Sequence, residues 1–238
     1  MKVLGIDTSG LVASVAIIDE DQLISEFTIN YKKTHSQTLM PMMDAMFHAC
    51  EMDLKEMDAI AVASGPGSFT GLRIGAATAK GIAQGLNKPV IGIPTLDGLA
   101  NNVYHSASYL ICPIMDARRQ QVYTASYKRK ENVLERVTDY RAIPIEELLQ
   151  DVQRQEDPVL FLGDGVDVYR KSIEKNLPAT KYEWIHGPNN RQRAASIADL
   201  GMQWLKQGKT QNYMDFAPFY LRPSQAEREY AQKHKGER

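Results

Sequence analysis

"DAIAVASGPGSFTGLRIGAATAKGIAQG", residues 58–85, decides how the rest of the chain is read. Asp58 to Ser64 is a short apolar run of the kind that forms a buried strand. Gly65, Gly67 and Gly71 interrupt it, and a helix built of small residues follows. A strand that passes through glycines directly into a helix is the repeating unit of an α/β protein.

Upstream, "KVLGID" (2–7), "LVASVAIID" (11–19) and "QLISEFTIN" (22–30) are strand-like and are separated by the turns "DTSG" and "DEDQ". They read as a three-strand meander. The apolar period then becomes helical from Ser36 to Cys50, with Ser36 or Thr38 as cap and Pro41 near the start. Downstream, "KPVIGIP" (88–94) is a further strand, with a short helix over 95–103.

The second half repeats this order. "YLICPIMDAR" and "QQVYTASYKR" read as paired strands and "NVLERVTDYRAI" as a third. "PIEELLQDVQRQ" is helical, and "PVLFLGDG" is a buried strand that meets a glycine turn. Helices near 166–176 and 194–207 flank a strand at 182–185. The expected fold is therefore α/β with two duplicated lobes, each a mixed sheet in which a meander precedes α/β alternation. The boundary near Tyr104–Ser108 divides the chain into 1–106 and 107–238, with a ligand-sized cleft between the lobes. No residue-level repeat is visible, so the duplication rests on pattern. Ser224 to Arg238 is heavily charged and reads as an exposed helix or frayed tail.

The 238 residues carry 28 basic and 29 acidic side chains, a net charge of −1. No global field draws such a chain to nucleic acid or membrane, although a local basic patch stays compatible. Cys50 and Cys112 each sit in an apolar run and read as buried, reduced thiols. Neither a signal peptide nor a membrane-spanning apolar stretch is present, and a cytoplasmic protein is expected.

Three places hold candidate chemistry. Asp7, Thr8 and Ser9 end the first strand, where a carboxylate and hydroxyls either hold a metal–phosphate unit or organise the turn. Gly65 and Gly67 precede a helix N-terminus, which suits an anion or merely a tight connection. The segment fits neither the P-loop nor the Gly-x-Gly-x-x-Gly pattern, because Thr70 takes the decisive glycine position. In the second half, Asp116 either faces the cleft or joins an internal ion pair with Arg118 or Arg119. Gly163 and Gly165 flank Asp164 and either hold an adenine or cap the next helix. "RRQQ" reads as a solvated hairpin turn, with an RNA site as the alternative.

The helices carry a different signal. Gly71, Gly75, Ala79 and Ala83 recur every four residues, and helical glycine costs about 0.5–1 kcal/mol relative to alanine. Gly75 and Gly81 therefore call for a close backbone neighbour, either the protein's own sheet or a partner helix. The preceding helix favours the partner, because Leu39, Met40, Met43, Met46 and Phe47 cover more than one face. With Gly71, Leu72, Gly75, Ala79 and Ile82 they form the expected partner-binding surface. No two of the five histidines are three or four residues apart, so no metal pair is expected, and no nucleophile elbow is present.

"GIDTS", "HSQTLMP", "ASGPGSFTGLRIG", "GIPTLDGLA", "DARRQQVYTASY" and "PFYLR" together resemble the TsaB (YeaZ-like) family, over essentially the whole chain. The resemblance implies an actin-like, RNase H-like fold and a non-catalytic subunit of a tRNA-modifying complex. That complex forms N6-threonylcarbamoyladenosine at position 37. The subunit would dock through its N-terminal helices onto a TsaD-like catalytic paralogue, beside a TsaE-like ATPase, and would form a homodimer when alone. It would meet tRNA only through the complex. The resemblance implies no required cofactor, with ATP or ADP and magnesium in the cleft as an alternative. Asp116 is followed by Ala117 rather than the glycine of active actin-like ATPases, which argues against a close phosphate. A stand-alone ATPase or small-molecule kinase is the competing function.

Overall fold

The structure, a computed structural model, describes residues 1–31, 33–104, 108–130 and 133–223. Part of the expected lobe boundary (105–107) and the charged segment from Ser224 lie outside the described residues.

The meander forms as expected: β1 (Lys2–Asp7), β2 (Ala13–Asp19) and β3 (Gln22–Ile29) are joined by tight turns and pair antiparallel. Helix α1 (His35–Ala49) follows, then β4 (Ala59–Gly65), α2 (Phe69–Leu86), β5 (Val90–Pro94) and the short α3 (Thr95–Ala100). β4 lies parallel to β1, and β5 parallel to β4, giving the sheet order β3-β2-β1-β4-β5. β1, β2 and β4 are buried on both faces, which is why they read as continuous apolar runs rather than as alternation.

The second half builds the same order from β6 (Leu110–Asp116), β7 (Gln121–Thr124), β10 (Arg141–Pro144), β11 (Val159–Leu162) and β12 (Tyr182–Trp184). Its order is β10-β7-β6-β11-β12, with the same antiparallel and parallel pairings in the same places. The duplication inferred from pattern is thus a topological fact. One expectation is corrected here. "QQVYTASYKR" and "NVLERVTDYRAI" are not two continuous strands, because a hairpin of β8 (Tyr127–Lys130) and β9 (Val133–Arg136) is inserted between β7 and β10. The break has a visible cause. The Ser126 N–H bonds the Thr138 hydroxyl, and the buried Tyr127 hydroxyl donates to Asp97 of α3 at 2.7 Å.

Helices cover both sheets. α1 and α2 lie on one face of the first sheet, in a core of Leu39, Met43, Met46, Val62 and Ala79. α4 (Ile145–Arg154) and α5 (Gly165–Asn176) cover the second. α6 (Ala194–Lys206) crosses back and packs Ile197 and Ala198 on the first sheet against Val3 and Ala61, so residues after 107 contribute to both layers. α3 lies between the lobes and packs Leu96 and Leu99 on Ile111 and Leu160.

The lobes are held by polar contacts as well. Asp97 accepts from both Tyr127 and Tyr140 at 2.7 and 2.8 Å. Asn102 donates to the carbonyls of Asn189 and Arg191. The segment after α6 straps the two lobes together. Phe216 is buried in the first core, the Phe219 N–H bonds the Ser64 carbonyl, and Arg222 donates to the Ala117 carbonyl at 2.8 Å.

Two smaller expectations are also corrected. The N-cap position of α1 is Thr34, not Ser36 or Thr38, and no side-chain cap is made. Cys112 is buried, which pushes its thiol up to about 11, but Cys50 is only half-buried; both are free thiols. Among the described residues no helix is long and apolar enough to cross a membrane.

Candidate functional site

The first candidate region is the cleft between the lobes, about 710 Å³ in volume. Parallel β1 and β4 end at it in the first lobe, and their counterparts β6 and β11 end at it in the second. Asp7 and Asp116 therefore occupy equivalent positions, as do the Gly65–Gly67 and Gly163–Gly165 turns.

The cleft floor is engaged with itself. Asp7 is 2% exposed, and its Oδ1 accepts from the Ser9 N–H at 2.9 Å and the Ser9 hydroxyl at 2.6 Å. Burial pushes its carboxyl up to about 6 against those two bonds. The Thr8 hydroxyl donates to the Gly71 carbonyl at 2.8 Å, and the Ser68 N–H to the Ser9 carbonyl at 2.7 Å. Gly65 has a φ of +124°, and a β-carbon there would meet the Phe219 carbonyl oxygen at 2.3 Å. A β-carbon on Gly67 would stand 2.4 Å from the Ser9 carbonyl oxygen. These glycines are explained by close approach of the protein's own backbone. Asp7 has the bonding of a residue that organises its turn.

The second lobe follows the same logic. Gly163 has a φ of +103° and, with Gly165, closes on the Ile114 carbonyl. Asp164 accepts from the Asp116 N–H at 3.2 Å, and burial pushes its carboxyl up to about 6. The expected ion pair of Asp116 is not formed among the described residues. Its Oδ1 instead accepts from the Arg118 N–H and the Tyr169 hydroxyl, each at 2.9 Å. Among the described residues no group of three or more metal-ligating side chains is present.

The second region is the pair α1 and α2. Leu39, Met43, Met46, Phe47, Leu72 and Ala79 are all buried in the lobe's own core, so they do not form an accessible surface. Gly71 and Gly75 are also buried, and they explain the inner stripe. Their β-carbons would stand 2.0 Å from the Thr8 carbonyl oxygen and 2.5 Å from the Thr8 hydroxyl. The neighbour that the four-residue recurrence demands is therefore the first turn of the same chain, at the end of the central strand β1. Of the ten expected contact residues, Met40 is 52% exposed and Ile82 is half-buried.

The outward face of the pair has a second small-residue stripe that the four-residue count from Gly71 passed over. Ala77, Gly81 and Gly85 are exposed, and among the described residues nothing beyond the helix's own backbone lies within 4 Å of a β-carbon built on either glycine. On α1 the exposed residues include Met40, Pro41, Ala45 and Ala49. Ile74 and Ile82 flank the α2 stripe and are half-buried. Of these residues, Gly81 had already stood out as costly; Gly85 carries the same signal.

Comparison with known proteins places the chain in a family. Residues 22–230 match the family model described as "TsaD: tRNA N6-adenosine threonylcarbamoyltransferase". The tRNA threonylcarbamoyladenosine biosynthesis protein TsaB of Bacillus subtilis is 34% identical over 99% of this chain and 100% of its own length. TsaB of Escherichia coli is 31% identical, covering 93% of this chain and 95% of its own. The solved structure of YeaZ from Pseudomonas aeruginosa superposes with a TM-score of 0.75 at 23% identity, over 92% of this chain and 99% of that one, a likeness of fold.

Proposed function

The chain belongs to the TsaB family, within the wider group that the TsaD model describes, and from that membership we propose that it is a non-catalytic subunit in tRNA threonylcarbamoyladenosine formation. It works by docking the outward face of α1 and α2 onto a TsaD-like catalytic paralogue. The observation that carries this reading is the pair of exposed helical glycines, Gly81 and Gly85, with open space above them. Gly81 destabilises the free helix by roughly 1 kcal/mol relative to alanine, and Gly85, in the last turn, by less, with no compensating contact among the described residues. A partner helix laid on the stripe would bring its backbone close, and Met40, Ile74 and Ile82 would supply apolar contact around it.

In the absence of the paralogue the same face is self-complementary, so the chain forms a homodimer that the paralogue displaces. Docking stabilises the competent conformation of the catalytic subunit by binding it better than the incompetent one. The TsaE-like ATPase joins the pair, and the work is done in the cytoplasm. This role asks for no cofactor of the chain's own. ATP or ADP with magnesium belongs to the competing reading, a stand-alone ATPase or kinase. The internal bonds of Asp7, Thr8, Ser9 and Ser68 at the cleft floor weigh against it.

The test is a reconstituted tRNA threonylcarbamoylation assay with purified subunits. The expected result is no product from this chain alone, full activity with the TsaD-like subunit, and full support from an Asp7→Ala protein. Product from the chain alone, or ATP turnover abolished by Asp7→Ala, would replace docking with catalysis.

A further inference from the structure

Several arginines away from the cleft are ion-paired: Arg141 with Asp151, Arg191 with Asp167, and Arg193 with Glu26. Around the cleft the pattern reverses. Arg118, Arg119 and Arg222 line it, and Arg73 lies over the Phe69 ring at its edge, 3.9 Å from the centroid. Among the described residues no carboxylate lies within ion-pair distance of these four. The two acids at the cleft are bonded inward, Asp116 to Tyr169 and Asp164 to the Asp116 N–H. In a chain of net charge −1 this is, among the described residues, a local cluster of cations without ion-pair partners, with Asp116 and Asp164 deeper in the same cleft.

The backbone builds the rim in an unusual way. Arg118, Arg119 and Gln120 have φ values of +60°, +54° and +57°, three successive non-glycine residues in the left-handed region. The turn leaves both guanidinium groups exposed. Across from it, Tyr220 is 38% exposed and packs against Phe69, ring centroids 4.7 Å apart and planes tilted by 38°. Arg222, two residues on, holds the strap to the Ala117 carbonyl of the same turn. Guanidinium groups beside an accessible aromatic ring suit a phosphodiester chain with unstacked bases. At the floor the Asp7 carboxyl and the Ser9 and Ser68 N–H groups, which a mononucleotide would use, are already bonded within the chain.

We propose that the rim of the interlobe cleft is an RNA-contacting surface, with Arg118, Arg119 and Arg222 on phosphodiesters and Tyr220 offering its ring face to a base. That the RNA is a tRNA rests on the family reading above; the charge pattern of the rim does not.

The probe is a fluorescent, unmodified tRNA transcript titrated with the full-length chain at several salt concentrations. Arg118→Gln/Arg119→Gln/Arg222→Gln is compared with Arg154→Gln, whose side chain is 77% exposed on α4. Arg118→Gln/Arg119→Gln alone spares the strap contact if the triple variant misfolds. The expected result is at least tenfold weaker binding by the rim variants and an unchanged control. For three phosphate contacts the slope of log affinity against log salt should fall by about two. ADP should not displace the RNA. The proposal is overturned if the native chain binds no tRNA, if native and rim variants share one affinity and slope, or if ADP displaces the RNA. Sedimentation with the catalytic subunit, run on the same samples, should show docking unchanged in the rim variants. A rim variant that loses docking would also overturn the assignment, whereas a native chain that binds RNA but never docks would overturn only the function proposed above.

Discussion

The two faces of α2 carry nearly the same residues for opposite reasons. Inward, Gly71, Gly75, Ala79 and Ala83 are small because the Thr8 turn and the sheet press against them. Outward, Ala77, Gly81 and Gly85 are small where the described residues offer nothing to press. A glycine stripe alone therefore does not identify an interface. The docking proposal rests on the stripe that has open space above it.

The largest effect expected from this contrast is at Gly75. Gly75→Leu drives a side chain into Thr8 and Val62, and overpacking against an immobile turn should cost about 3 kcal/mol or more. Thermal unfolding should show a large fall in Tm or an insoluble protein. A soluble variant of native Tm would mean that the inner face has room.

Next comes the turn on which that face rests. The Asp7 carboxyl is pushed up to about 6 in the fold from an ordinary value near 3.8, so its ionisation opposes folding. Below about pH 4 both states are protonated and the full stability is present. It is lost as pH rises through about 6, by roughly 2–3 kcal/mol. Asp7→Asn keeps an acceptor for Ser9 and should be the more stable protein at pH 7, with the gain gone by about pH 4. Denaturant titrations of both proteins at several pH values measure it, and parallel curves would show that Asp7 ionises freely.

On the outer face, Gly81→Leu should leave Tm unchanged or raised while weakening association at least tenfold, about 1.4 kcal/mol. The smallest effect separates helix propensity from contact. Gly85→Ala, in the last turn of the helix, should stabilise the isolated chain by no more than about 0.5 kcal/mol. A loss of stability there would reveal an intramolecular neighbour to this glycine.

Much of the fold was legible because each lobe announces itself by a change of apolar period, from meander to helix. The strands β1, β4 and β6 read directly, being buried on both faces. The inserted hairpin did not, because β8 and β9 differ from their neighbours through a tertiary event, the capture of Tyr127 by Asp97, which leaves no local mark. The surface proposed for a partner is not the stripe that the four-residue recurrence picks out. Periodicity shows that α1 and α2 have surplus apolar and small residues, but which stripe faces the sheet depends on the register of α2 over Thr8. Gly81 was the usable clue, since its cost had no local repayment. The cationic rim was hidden for another reason: Arg118 and Arg222 are 104 positions apart and meet only through the strap.

The most direct test of the docking account is sedimentation velocity of the purified chain mixed with its TsaD-like subunit, native against Gly81→Leu. The account predicts a homodimer that gives way to a mixed complex for the native chain, and a folded monomer that forms neither for the variant. A Gly81→Leu protein that assembles like the native one would contradict it.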